Sequence, residues 1–204
     1  LHKTKETFYK KIEEFPKGYI YEFNLNRVEK KHRFWKPNFS AKNNFSFNEN
    51  CEIIKNLLIK SVKLRLRSDV PLAFCLSSGI DSNSLISIAN RILNYDTQGF
   101  SIDSKDKRYS ERSKIEKNLK KSGIRCKYIK PNEKDSLDNL KKIIHSHDSP
   151  VSTISYYLHW FLLKEISNKN YKVSISGTGA DEIFTGYYDH FSFHLAYLYK
   201  YNKK

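Results

Sequence analysis

Two short stretches of the sequence carry residue types suited to chemistry. One is Ser77-Ser78-Gly79-Ile80-Asp81-Ser82; the other is Ser176-Gly177-Thr178-Gly179-Ala180-Asp181-Glu182. The first follows an apolar run, Leu72 to Leu76, and precedes Leu85, Ile86 and Ala89 at helical spacing. A strand, a short Ser/Gly/Asp loop and a helix start make an anion-binding layout: backbone N–H groups and the positive end of the helix dipole face the loop, and hydroxyls line it. The lysine of a G-x-x-x-x-G-K-[ST] loop is absent, which excludes that nucleotide motif. Asp81 and Asp181 each stand near the end of their loop. Two carboxylates beside a phosphate-cradling loop supply the hard oxygen ligands that Mg²⁺ requires, with phosphate and water completing its shell. Each Asp alone reads equally well as a helix N-cap; the pair, in two similar loops, favours the metal.

The elements that must position these loops follow from periodicity. Ser46 and Glu49 form a capping-box signature for a helix carrying Ile54, Leu57, Leu58, Ser61, Val62 and Arg65 on one side. After the first loop, the spacing predicts a helix to about Leu93 and a strand over Gln98–Ile102. A charged helix over Tyr109–Lys121, capped at Ser122-Gly123, and a strand over Ile124–Ile129 come next. Asp135–His147 suits a helix with Leu137, Leu140, Ile143 and Ile144 inward, and Ser155–Ile166 is apolar and aromatic enough to predict a buried helix, its Tyr156, Tyr157, Trp160 and Phe161 in the core. Lys172–Ser176 is the last strand. This order predicts an α/β fold, a doubly wound, mostly parallel sheet with helices on both faces, whose ligand binds at the carboxyl ends of the strands. Upstream, Gly18–Arg27 and Glu29–Trp35 alternate like a hairpin with a turn at Asn24–Asn26, and Pro37 to Asn44 forms a polar linker.

At 39% hydrophobic and 29% charged residues the chain is globular. No apolar run reaches the roughly 18–20 residues of a membrane helix, and Cys51, Cys75 and Cys126 are scattered as in a reduced, cytoplasmic protein. The net charge of +15 raises nucleic-acid binding, but the lysines are spread along the chain without a basic tract. His145 and His147 read as helix-end residues. His190 and His194 have metal-ligand spacing without an evident third ligand, so zinc is not favoured. The absence of any methionine predicts a piece of a longer protein.

LSSGIDSNSL resembles the pyrophosphate-binding S-G-G-x-D-S loop of N-type ATP pyrophosphatases, the PP-loop superfamily. With SGTGADEIFTGY, similar to S-G-E-G-A-D-E-L-F-G-G-Y, the chain resembles the synthetase domain of glutamine-hydrolysing asparagine synthetases. FSID at Phe100–Asp103, YSERSKIEKNLKKSGI, and HDSPVSTISYY at His147–Tyr157 add to the likeness. The opening EEFPKGYIYEF…HRFW resembles the end of that family's glutaminase domain.

The resemblance implies an adenine nucleotide alpha hydrolase-like fold over residues 40–204 and a glutaminase remnant over 1–39. It implies ATP and Mg²⁺, and an acid, aspartate foremost, activated as an acyl-adenylate with release of pyrophosphate and then amidated by ammonia from glutamine. Asp81, Asp181 and Thr178 take the catalytic positions, and Asp81 and Asp181 hold the metal. Cys75, Leu76, Ser77, Ser78, Gly79, Asp81, Ser82, Ile102, Ser176 and Gly177 meet ATP or pyrophosphate, Cys75 through its main chain. The implied partners are small molecules and a glutaminase domain in the same parent chain, with a homodimer left open. Three positions depart from the pattern: Ser78 for Gly, Ser110 for Asp, and Thr178 for the Glu of S-G-E-G. Thr178 carries no charge and cannot act as a base, so another carboxylate, such as a sugar acid, is an alternative acceptor. The family's downstream lysine and its N-terminal catalytic cysteine are unmatched, so the chain by itself is expected not to use glutamine. A basic, RNA-binding PP-loop protein is the remaining alternative, and it would lack the second motif.

Overall fold

A computed structural model describes residues 5–25, 27–38, 44–120, 122–131 and 135–201. The predicted turn at Asn26, the linker positions Ser40 and Asn43, and the expected helix end at Lys121 lie outside these residues. The chain divides into two compact units, Leu1–Asn50 and Cys51–Lys204.

In the first unit, β1 (Tyr19–Asn24) and β2 (Arg27–Arg33) pair antiparallel as expected, Tyr19 opposite Arg33 and Tyr21 opposite Lys31. The register places Arg33 and Lys31 over the rings of Tyr19 and Tyr21, a cation–π ladder on one face. The capping box forms in both directions: the Ser46 N–H donates to Glu49 Oε2 at 2.7 Å and the Glu49 N–H to Ser46 Oγ at 3.3 Å, starting α1 (Phe47–Arg65).

The second unit is built on a four-stranded parallel sheet in the order β5-β4-β3-β6, from β3 (Leu72–Cys75), β4 (Gln98–Ile102), β5 (Arg125–Ile129) and β6 (Val173–Ile175). Alternation along β3 sends its side chains to two cores. Phe74, with Leu76 just beyond the strand, joins Val62, Ile86, Ala89, Ile115 and Ile124, while Ala73 joins Phe100, Leu162 and Ile166. Helices therefore cover both faces, as a parallel sheet requires. On one side lie α1, α2 (Ile80–Ser87, extended by a π-helical turn, Ile88–Ile92) and α3 (Arg112–Leu119); on the other lies α5 (Ile154–Asn168). From β3 the chain winds outward to β4 and β5. It then passes through α4 (Ser136–His147) and α5 and returns to the opposite side of β3 as β6. The topological switch falls between β3 and β6.

Several expectations on helices need correction. Of the α1 stripe only Val62 is buried; Leu57 is 59% exposed, because only the C-terminal end of this helix, at Val62 with Leu66 just beyond it, meets the β3 core. In α4, Ile143 is buried as predicted and Leu140 is half-buried, but Leu137 and Ile144 are exposed and the other buried residue is Asn139, so the inward stripe is narrower than expected. Helix α5 is buried only along Leu162 and Ile166, the positions over the sheet; Tyr156 is exposed, and Tyr157, Trp160 and Phe161 are half-buried, stacked edge-on against one another. Helix α3 begins three residues later than its periodicity suggested, because Tyr109 and Ser110 turn back on the Asp106 carbonyl.

Candidate active site

All four parallel strands point their carboxyl ends at one edge, and at the switch between β3 and β6 that edge opens into a cleft of about 370 Å³. The cleft is lined by Cys75, Leu76, Ser77, Gly79, Asp81 and Ser82 from the first loop, Ser101 and Ile102 from β4, Ser176, Gly177, Thr178 and Asp181 from the second, and Glu111, His159 and Leu162. Of the site residues expected from sequence, only Ser78 does not line it.

The first loop is wound on its own hydroxyls. The buried Ser82 hydroxyl accepts from the Ser77 N–H at 3.1 Å and pairs with the Ser77 hydroxyl at 2.9 Å, while Ser77 Oγ accepts from the Gly79 N–H at 3.1 Å. The Asn83 carboxamide, one turn into α2, donates to the carbonyls of Ser77 (2.9 Å) and Gly79 (2.6 Å). The loop thus holds its curvature through its own groups, so little ordering remains for a ligand to impose.

Neither acid serves as a cap. The N-cap of α2 is Gly79 and that of α6 (Ala180–Phe184) is Gly179, neither with a side-chain cap bond, and Asp81 and Asp181 sit in the first turns. Both side chains are half-buried in the cleft wall. Two glycines approach them closely. A β-carbon on Gly177 would stand 3.0 Å from Asp81 Cβ, and one on Gly186 would stand 1.8 Å from Asp181 Oδ1. Gly186, having no side chain, leaves the room that the Asp181 carboxylate occupies, and Gly177 lets the second loop approach the root of the Asp81 side chain. No group of three His, Cys, Asp or Glu residues among the described ones could hold a metal. Two carboxylates are too few for an all-protein cage; a hard cation bound by them would take its other oxygens from phosphate and water.

Nearby ionisable groups divide between structure and site. Glu182 accepts the Tyr187 hydroxyl at 2.7 Å, which holds its carboxyl below the usual range and raises the Tyr187 phenol; it is tied to the turn after α6 and not to the cleft. His190 packs its ring on Tyr187 at 5.2 Å. Burial pushes the Cys75 thiol up and the Cys126 thiol to about 11, so neither is a thiolate near neutral pH. A sequence model of the asparagine synthase family matches residues 54–200, which contain both loops and every strand of the sheet. The chain belongs to the asparagine synthase family.

Among curated relatives, asparagine synthetase [glutamine-hydrolyzing] 1 of Bacillus subtilis is 32% identical over 136 residues, 66% of this chain and 21% of that protein. The maize asparagine synthetase [glutamine-hydrolyzing] is 28% identical over 182 residues, 85% of this chain and 30% of that protein. The chain thus spans less than a third of the length of these two relatives. Among solved structures, the NH3-dependent NAD synthetase of Campylobacter jejuni overlaps with a TM-score of 0.38 and 15% identity over 63% of this chain and 56% of that one.

Two of the three departures from the family pattern have local explanations. Ser78 is not among the non-glycine residues of positive φ, so a side chain is admitted without backbone strain. The Ser110 hydroxyl donates to Asp103 Oδ1 at 3.0 Å, and Asp103 is buried; an ionised Asp at 110 would set two carboxylates against each other there. Thr178 lies in the cleft wall, where its hydroxyl accepts from Ser176 Oγ at 3.0 Å. Ser101, Glu111, His159 and Leu162 were not foreseen as cleft residues. The strand-end rule that selected Ile102 reaches its neighbour Ser101, whereas Glu111, His159 and Leu162 come from helices or their approaches and leave no local signal.

Proposed function

We propose that this chain is the ATP-using part of a glutamine-dependent carbon–nitrogen ligase. It activates a carboxylic acid, aspartate foremost, as an acyl-adenylate with loss of pyrophosphate, and ammonia then displaces AMP to give the amide. The observation that carries this reading is the convergence of the Ser77–Ser82 and Ser176–Asp181 loops, each with its acid, on one cleft at the switch between β3 and β6. A nucleotide here would lay its adenosine against the main chain near Cys75 and Ile102 and its phosphates across the first loop. The Ser77 and Ser82 hydroxyls and the loop N–H groups stabilise the charge that develops on the leaving pyrophosphate. Asp81 and Asp181 would hold Mg²⁺, which neutralises part of that charge. Ser176 and Gly177 lie beside the acyl-adenylate. Residues 1–39 are read as the end of a glutaminase-type domain that delivers ammonia, and the protein as cytoplasmic.

A second acceptor, such as a sugar acid, is favoured by Thr178. The Ser176–Thr178 hydroxyl pair presents a neutral, hydrogen-bonding wall where a glutamate carboxylate is the family pattern. Both readings are tested on the full-length polypeptide by measuring pyrophosphate release from Mg·ATP with a panel of acids, using glutamine or ammonia as nitrogen source. Release that depends on one acid identifies the acceptor. ATP turnover that no acid stimulates overturns the ligase reading.

A further inference from the structure

One member of the first loop is already occupied by an anion, and that anion belongs to the chain. The Ser78 N–H donates to Glu111 Oε2 at 3.1 Å and the Ser78 hydroxyl to Glu111 Oε1 at 2.8 Å, so both carboxylate oxygens are taken up by one residue of the loop. Glu111 stands at the start of α3, and its side chain lines the same cleft as Asp81 and Asp181. The nearby guanidinium groups are engaged elsewhere, Arg108 with Asp106 and Arg112 with Glu116 and Asp103. Among the described residues no cation pairs with Glu111, and its charge rests on the Ser78 donors.

Ser78 itself does not line the cleft, so its donors, the kind an anion-binding loop offers its ligand, reach a phosphate there only once Glu111 gives way. A carboxylate and a phosphate chain cannot use the same N–H and hydroxyl together, and as like charges they repel across the cleft. We propose that Glu111 is an internal competitor for the phosphate end of the ligand, holding the Ser78 donors until a phosphate chain displaces it. The inference rests on the nucleotide reading of the cleft. It makes Glu111 a specificity-determining residue: a bare polyphosphate pays the full cost of displacing and then facing the carboxylate, whereas one carrying a divalent cation brings compensating charge. Ser78 is central to the competition. A glycine there would leave Glu111 only the backbone N–H, so the serine that departs from the family pattern doubles the hold.

The test is calorimetric binding of inorganic pyrophosphate, with and without Mg²⁺, to the whole chain and to Glu111→Gln, Ser78→Gly and the double variant. Glutamine keeps the shape and an acceptor but removes the charge. Glu111→Gln is expected to bind pyrophosphate roughly tenfold more tightly than the parent, with the larger gain when Mg²⁺ is absent. Ser78→Gly, which takes the same hydroxyl from both competitors, should change affinity by less than about threefold, and the double variant should bind no more tightly than Glu111→Gln. Equal or weaker binding by Glu111→Gln overturns the inference while leaving the nucleotide site standing. If Glu111→Gln does not fold, Glu111→Ala decides, and equal or weaker binding by that variant overturns the inference equally. If no protein of the set binds pyrophosphate in either condition, the nucleotide reading fails and the inference falls with it.

Discussion

Gly177 lies against Asp81 so closely that a β-carbon built on it would stand 3.0 Å from Asp81 Cβ and 3.2 Å from the Ser82 amide nitrogen. The loop after β6 is therefore seated on the first turn of α2. This contact, between residues far apart in sequence, makes one cleft out of two loops. Gly177→Ala must push the loops apart, since the groups in the way are a helix backbone and the root of a side chain and neither is a free end. Overpacking of this kind costs roughly 1–3 kcal/mol. The expected result is at least a tenfold loss of Mg·ATP affinity by calorimetry, with the far-ultraviolet circular dichroism of the α/β unit retained. Parental affinity in the alanine variant would refute the claim that the contact sets the cleft.

Gly186 makes the corresponding approach to the second acid, with a would-be β-carbon 1.8 Å from Asp181 Oδ1. Here the obstacle is a carboxylate end, which can rotate. Gly186→Ala should leave α6 in place and turn the Asp181 carboxylate out of its present position. The expected signature is a rise in the Mg²⁺ concentration needed for half-maximal ATP binding, with little change at saturating Mg²⁺. Asp181→Asn should show the same shift without the steric cause, and an unchanged Mg²⁺ requirement in both variants would remove Asp181 from the metal site.

The thiols offer a test by pH. Burial raises both Cys75 and Cys126, the latter to about 11, whereas Cys51 is exposed on α1. Alkylation at pH 8 followed by mass spectrometry should modify the exposed Cys51 first, with Cys75 slower and Cys126 slower by about two orders of magnitude, since the thiolate is the reacting form. The sign of the stability effect follows. A thiol whose folded value lies above its unfolded one favours the fold while protonated. That contribution is complete below about pH 8.5 and is lost as pH rises through about 11. The denaturation midpoint should fall across this window, and Cys126→Ser should flatten the fall.

Much of this was legible in the sequence because local signals and tertiary structure agree. The apolar run before Ser77 is a buried strand, the Ser46–Glu49 capping box forms as written, and the order of elements gives the parallel sheet. What periodicity could not supply was which residues of a helix lie over something. Leu57, Leu137 and Ile144 have the spacing of core positions, yet burial depends on where neighbouring elements end, which the helix's own sequence does not encode. The cleft shows the same division. Asp81 and Asp181 announce themselves through small-residue loops, whereas Glu111 reaches the loop from 33 positions beyond Ser78, through a pairing that exists only in the fold.

Thr178 carries the last prediction, because it separates the activation of an acid from the choice of acid. Its hydroxyl is held by Ser176 Oγ at 3.0 Å, and its side chain is exposed at the cleft wall, where a longer side chain can extend without displacing core atoms. Thr178→Glu restores the residue of the S-G-E-G pattern and puts a carboxylate beside the position assigned to the acyl-adenylate. If aspartate is the acceptor, that acid should raise aspartate- and ammonia-dependent pyrophosphate release several-fold, while Mg·ATP affinity stays within about threefold because Thr178 lies outside the Ser77–Ser82 loop. A fall in release with the acid found active for the parent, with ATP binding intact, would instead mean that the Ser176–Thr178 hydroxyl pair is a recognition surface for a different carboxylate. In that case Thr178→Ser, which keeps the hydroxyl, should retain most of the parental rate where Thr178→Val does not.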